Sequence, residues 1–222
     1  ASDSDPRIAI SNPLLAETSH LRTNLLEEHL AVCVRNLKAS QPGCWIFELG
    51  TTYAGSADAV QESRLLSGVI CGEQRLERWT TSGKPAPPDY YAARGRLTEV
   101  MQALKLDVSD RRLTDDSRLH PGRAATLVLE GRPLGCFGQL HPELAESLDL
   151  PEATFLFELD LTRLVESATR RNRWIPAFKA FPTVPASERD LAVVVDRSLA
   201  ASDLMQSIRK SGKPLLEAVT LI

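Results

Sequence analysis

No apolar run in the 222-residue sequence approaches the roughly 20 residues that a membrane-spanning helix needs, so a helical membrane protein is excluded. The start, ASDSDPRIAI, lacks the basic lead and apolar centre of a secretory signal, so nothing in it directs export and the cytoplasm is the expected compartment. Cysteine is scarce, and Cys33, Cys44, Cys71 and Cys136 contain no C-x-x-C pair. A zinc or disulfide framework normally brings its ligands in close pairs, whereas these four sit among apolar neighbours such as AVCV and VIC. Buried reduced thiols are expected. The histidines His20, His29, His120 and His141 are equally scattered, and neither H-E-x-x-H nor G-x-x-x-x-G-K-[ST] occurs. No metal or nucleotide motif is visible.

What is present is the composition of a globular chain, 43% hydrophobic and 25% charged, long enough to bury a core. Its net charge of -3 is unevenly spread: between Arg163 and Lys213 ten Lys/Arg stand against five Asp/Glu, a local +5 that leaves -8 on the remainder. A basic section behind an acidic body points to a polyanion partner, since Lys and Arg supply the sequence-independent attraction to phosphates. A solvated charged face gives the same composition.

Periodicity places the elements. IAISNPLL reads as a strand running into Asn12-Pro13. Asn24 and Glu27 have the spacing of a capping box, and Leu26, Leu30, Cys33, Val34 and Leu37 follow at helical spacing. CWIFELGTTY alternates as a strand, with Trp45, Phe47 and Leu49 on one face and Cys44 and Ile46 on the other, and RLLSGVICG is apolar on both faces, as in a covered central strand. The polar, Pro-rich segment 73–89 predicts a loop, and Asp89 caps a helix whose stripe is Tyr90, Arg94, Leu97, Val100, Met101 and Leu104. Val108 to Leu113 predicts a strand, ATLVLEGRPLGCFGQL a hairpin turning at 130–133, HPELAESLDL a short helix begun by Pro142, and ATFLFELDL another strand. A short helix and basic connector follow, then a strand at Leu191–Val195, a helix and a last strand, which is one half of a split β-α-β sandwich. Strands joined by hairpins with helices between them imply an α+β fold with a mainly antiparallel sheet.

Several of these stretches in order, SNPLLAETSHLRTNLLEEHL (11–30), IFELGTTY (46–53), DYYAARGRLTEVMQALKL (89–106), LHPGRAATLVLEGRPLGCFGQLHPEL (119–144), FELDLTRL (157–164) and FPTVPASERDLAVVVD (181–196), resemble the C-terminal part of the β subunits of bacterial-type phenylalanyl-tRNA synthetases. The resemblance implies a class II aminoacyl-tRNA synthetase-like module over 1–165, a basic linker over 166–177, and over 178–222 the first half of a ferredoxin-like anticodon-binding domain. It also implies that family members begin earlier, with editing and magnesium-binding domains, and continue beyond the final VTLI. In that family ATP and magnesium serve the holoenzyme, and the α subunit holds the active site; no cofactor is expected in this chain.

A working class II site needs arginines on the ATP phosphates, where adenylate formation concentrates negative charge. In WIFELG, Glu48 is present but no arginine precedes it, and FLFELDL carries acids where an arginine is wanted. The module is therefore expected to be catalytically inactive. His120 and His141 each precede proline without a nucleophile motif around them, so both read as turn residues, with an independent histidine-based enzyme as the weaker alternative. Gly135 and Gly138 lack the third glycine of a dinucleotide loop and suit close backbone packing or a bulge.

Function is then expected in surfaces. By the resemblance, Asn12, Pro13, Leu14, Leu21, Arg22, Leu25 and Leu26 would contact the α subunit in an (αβ)2 tetramer, although the leucines equally suit the module's own core. Arg22 wants a planar polar partner. For tRNA(Phe) the candidates are Lys179, Arg189, Arg209, Lys210 and Lys213, with Arg189 alternatively paired to Asp190. A free-standing paralogue that binds protein or RNA fits the same features.

Overall fold

The computed structural model describes residues 7–15, 19–73, 86–176, 178, 180–181 and 183–222, and the chain divides into two compact units, 1–176 and 177–222. The first unit is an α+β module. Its six strands, β1 (Gly43–Ser56), β2 (Ala59–Gly72), β3 (Val108–Arg112), β4 (Leu119–Leu129), β5 (Arg132–Leu140) and β6 (Thr154–Asp160), form one sheet in the order β1-β2-β6-β5-β4-β3. Every pairing is antiparallel.

Helices cover both faces. Helix α1 (Leu26–Lys38) and α3 (Pro142–Ser147) lie over a core that includes Leu26, Cys33, Val69, Cys71, Leu140, Ala145 and Leu156. Helices α2 (Tyr90–Ala103) and α4 (Leu161–Ala168) close the opposite core around Ala93, Leu97, Met101, Phe137, Phe157, Leu159 and Leu164. The alternation of β6 explains the double burial: Phe155, Phe157 and Leu159 belong to one core and Leu156 to the other.

Local chemistry sets the helix ends. Asn24 Oδ1 accepts the Glu27 amide at 3.1 Å while Asn24 Nδ2 donates to Glu27 Oε1 at 3.0 Å, so the spaced pair satisfies an otherwise orphaned amide in the first turn of α1. Asp89 accepts from the Ala92 amide at the start of α2. The buried stripe of α2 is Ala93, Leu97 and Met101; Val100, expected within it, is 44% exposed because its position turns it toward solvent. His141 caps α3, its Nδ1 accepting from the Glu143 amide, and His120 Nδ1 accepts from the Gly122 amide. Both histidines therefore act locally on the backbone.

β1 and β2 pair over their whole length, from Gly43↔Gly72 to Ser56↔Ala59, whereas β6 supports β2 only between Leu65 and Cys71. Residues 54–64 accordingly form an exposed two-stranded ribbon beyond the sheet. The N-terminal segment makes one antiparallel bridge, Ala9↔His20, in place of the expected strand. The expected loop at 73–89 falls mostly on residues 74–85, outside the described residues.

Gly135 shows why a strand glycine is required. A Cβ there would stand 2.0 Å from the Glu158 carbonyl oxygen, inside the β5–β6 ladder, and a register shift lies beside it between Leu127 and Val128.

Residues 166–174 are part of the first unit. Arg173 Nε donates to the Ser167 carbonyl and Trp174 Nε1 to the Ala168 carbonyl, which folds the basic stretch back onto α4. In the second unit helix α5 (Ala201–Ser211) forms as expected, but neither Leu191–Val195 nor the last residues pair as strands. In a split β-α-β unit the two strands are not neighbours, and each needs another strand between them to satisfy its ladder. The described residues supply none, and no residue of α5 is buried.

Candidate functional site

The registers align one residue from each of four strands in a polar row: Glu48 on β1 stands opposite Ser67 on β2, Ser67 opposite Glu158 on β6, and Glu158 opposite Cys136 on β5. The row lies on the α1 face, because the residues two positions away, Ile46, Val69 and Leu156, pack into the core under α1. Beside it opens a cleft of about 430 Å³ lined by Thr23, Asn24, Leu65, Arg118, Glu158 and Asp160, among others.

Two arginines reach this face from outside the sheet, and each donates from all three of its guanidinium nitrogens to protein acceptors. Arg22 donates Nη2 to Glu48 at 2.7 Å, Nη1 to Glu28 at 3.0 Å and Nε to the Thr51 carbonyl at 3.0 Å. Arg118 grips Asp116 through Nη2 at 2.7 Å and Nε at 2.9 Å, and donates Nη1 to Glu158 at 3.1 Å. The hydrogen bonds that Arg118 donates hold the Asp116 carboxyl below its usual range, and their acceptance by Asp116 raises the Arg118 guanidinium in turn. Burial pushes the neighbouring Cys136 thiol up to about 11, so it is a protonated thiol at neutral pH and no nucleophile. Asp160 is occupied as well, accepting the Arg163 amide at the start of α4.

A phosphate chain needs arginine donors turned toward it, and here every donor group of the two arginines named above is aimed at a carboxylate or carbonyl. Glu48, Asp116 and Glu158 add negative charge where the ligand would bring more. Among the described residues, no three His, Cys, Asp or Glu side chains converge closely enough to hold a metal ion.

A second hollow, about 560 Å³, lies at the N-terminal segment and is lined by Asn12, Pro13, Leu14, Leu21 and Arg22 together with Tyr53. Five of the seven residues expected at a subunit contact therefore meet here. Leu14 is fully exposed, and Asn12 and Pro13 are exposed beside it. Leu25 and Leu26 are different: they are 0% and 4% exposed, within the module's own interior, so their apolar side chains hold α1 to the sheet and cannot meet a partner. Arg22 has planar partners inside the chain, Glu28 and Glu48.

Of the five candidates for RNA, Lys179 lies outside the described residues. Arg189 is exposed and donates to the Glu188 carbonyl, with no ion pair to Asp190. Arg209 and Lys210 occupy the last turn of α5, where they also complement the helix dipole, and Lys213 is exposed just beyond. Sequence reasoning does not single out Asp116 and Arg118. Their sequence signal is no more than an acid and an arginine two apart, in DDSR, since Glu158 lies 40 residues away.

Comparison with known proteins gives the fold its family. Residues 1–161 match the model described as the phenylalanyl tRNA synthetase beta chain CLM domain. The chain belongs to that family. Its sheet and flanking helices are accordingly a class II synthetase-like fold, as the sequence resemblance implies. Relatives named phenylalanine–tRNA ligase beta subunit include one from Parasynechococcus marenigrum (strain WH8102), 96% identical over all 222 residues, which cover 27% of the relative. One from Synechococcus sp. (strain CC9605) is 72% identical over all 222 residues, covering 28% of that relative. One from Prochlorococcus marinus (strain MIT 9313) is 60% identical over 221 residues, covering 27% of that relative. The chain thus spans about a quarter of the length of these curated relatives. No helix among the described residues is long and apolar enough to cross a membrane.

Proposed function

We propose that this chain is a non-catalytic part of a phenylalanine–tRNA ligase β subunit, which supports assembly with a catalytic α subunit in an (αβ)2 enzyme and contributes to tRNA(Phe) binding. The observation that carries the reading is the engagement of Arg22 and Arg118 by four carboxylates on the sheet face where a synthetase would need free arginines. ATP and magnesium would then be used by the assembled enzyme, and the chain alone would form no adenylate.

Assembly is supported by apolar surface that the module leaves uncovered. Phe47 and Leu49, on edge strand β1, are 70% and 60% exposed, and Leu14 projects beside the N-terminal hollow. Asn12, Pro13, Leu14 and Leu21 are the proposed α-subunit contacts in that hollow. In the second unit, Arg189, Arg209, Lys210 and Lys213, with Lys179, are the proposed tRNA contacts, and the unit as a whole is proposed to be the first part of a ferredoxin-like anticodon-binding domain.

The test is co-purification of the full-length β subunit with its α subunit, followed by aminoacylation of tRNA(Phe). The complex should charge tRNA, and the 222-residue chain alone should show no phenylalanine-dependent pyrophosphate exchange. Exchange by the chain alone contradicts the reading.

A further inference from the structure

Three connections meet at one end of the first unit: the turn after α2, the β4–β5 turn and the segment after α4. Glu130, in the β4–β5 turn, receives both Arg170 and Arg173, at 2.8 and 2.9 Å. Arg173 also donates to the carbonyl of Lys105, and the Lys105 ammonium sits 4.8 Å above the Trp174 ring. Arg132 follows the same turn and Arg171 follows Arg170; both are exposed, with no hydrogen-bond or ion-pair partner for the side chain among the described residues. Arg163 donates to the carbonyl of Pro133, next to Arg132. These connected segments thus carry six cations, two of which share Glu130, with Glu166 and Asp107 the other acids in them.

We propose that this cluster is an RNA-binding surface that takes the phosphate backbone of tRNA independently of base sequence. The inference rests on the reading above that the assembled enzyme binds tRNA, and adds a site built from residues of the first unit. Holding like charges together is unfavourable in the free protein, and Glu130 offsets it for only two of the arginines. Arg170 is held by Glu130, and Arg173 by Glu130 and the Ser167 and Lys105 carbonyls, so their remaining surface is preorganised; Arg132 and Arg171 have their guanidinium groups free for phosphate oxygens. Trp174, 46% exposed, adds a flat apolar surface beside the cations. Two residues after Trp174 the chain passes out of the first unit. RNA is favoured over an acidic protein segment because the open donors are arginines in planar forks, suited to phosphate oxygens.

The test uses the assembled enzyme with full-length β subunit and an unmodified tRNA(Phe) transcript, with Arg132→Glu and Arg171→Glu combined. Neither side chain has a partner to lose among the described residues, so folding should be unaffected. Expected are a dissociation constant raised about tenfold and a log–log salt slope reduced by about two. The Michaelis constant for tRNA should rise while phenylalanine-dependent pyrophosphate exchange stays at the wild-type rate, and Arg132→Lys with Arg171→Lys should retain affinity. A dissociation constant and salt slope within about twofold of wild type would overturn the inference, as would loss of the α subunit with RNA affinity unchanged. If the wild-type enzyme binds no transcript, the functional reading itself fails, an outcome distinct because it precedes any variant comparison.

Discussion

Arg22 Nη2 donates to Glu48 Oε1 at 2.7 Å, tying the segment before α1 to edge strand β1. The backbone reinforces the link, because the Tyr53 amide donates to the Arg22 carbonyl at 2.9 Å. An arginine that looks from sequence like an outward-facing contact is therefore an internal clamp. Arg22→Ala should destabilise the first unit by about 1–2 kcal/mol, the range for partly exposed charge-assisted hydrogen bonds. Arg22→Lys should recover little of it, since one ammonium cannot meet Glu28, Glu48 and the Thr51 carbonyl with the geometry of a planar fork. Urea unfolding of both variants checks this, and equal stability of wild type and Arg22→Ala would remove the clamp.

Asp116 carries a pH signature. Its folded carboxyl is depressed by hydrogen bonds from Arg118, so its stabilisation is present above the unfolded carboxylate pKa, about 3.9, and is lost as pH falls through the lower folded value. Asp116→Asn should lower stability at about pH 6 and lose less than wild type on acidification below about pH 4. Denaturant midpoints across that range read the difference, and parallel pH profiles would show that the pair contributes nothing.

The contrast between these two clusters explains what is legible in the sequence. Periodicity exposes α1, α2 and the β4–β5 hairpin because each depends on neighbours within a few residues, and the Asn24–Glu27 pair can be read for the same reason. The polar row Glu48–Ser67–Glu158–Cys136 cannot, since strand order and register are settled by packing between distant segments. The buried stripe of α2 runs through Ala93, Leu97 and Met101 at four-residue steps, so Val100 falls at its edge, and Ala93, being small, is easily overlooked as a core residue. The expected strand at Leu191–Val195 rests on β-branched composition alone, and composition does not provide the neighbour a strand must pair with.

Gly135→Ala should be among the most damaging single changes in the first unit. Its Cβ would meet the Glu158 carbonyl at 2.0 Å, and backbone has little freedom to give way within a ladder. A loss of about 2 kcal/mol or more is expected, at the upper end of overpacking costs. Gly131→Asn, at a turn position with φ of 78° and no neighbour within 4 Å of the new Cβ, should cost much less and serves as the control. Thermal midpoints of the two variants separate close packing from loss of glycine as such.

Phe47→Asp should separate stability from assembly. The side chain is largely exposed on an edge strand, so folding should change by less than about 0.5 kcal/mol. Co-purification with the α subunit should weaken, because a charge would be placed in apolar contact surface. Undiminished assembly would exclude this part of β1 from the interface.

The most direct test of the central claim is phenylalanine-dependent pyrophosphate exchange by the assembled enzyme carrying Arg118→Met with Glu158→Gln, with assembly confirmed by size-exclusion chromatography. A sheet face that takes no part in adenylate formation predicts exchange at the wild-type rate. A fall of about a hundredfold or more in an intact complex would show that these residues serve the chemistry and contradict the account.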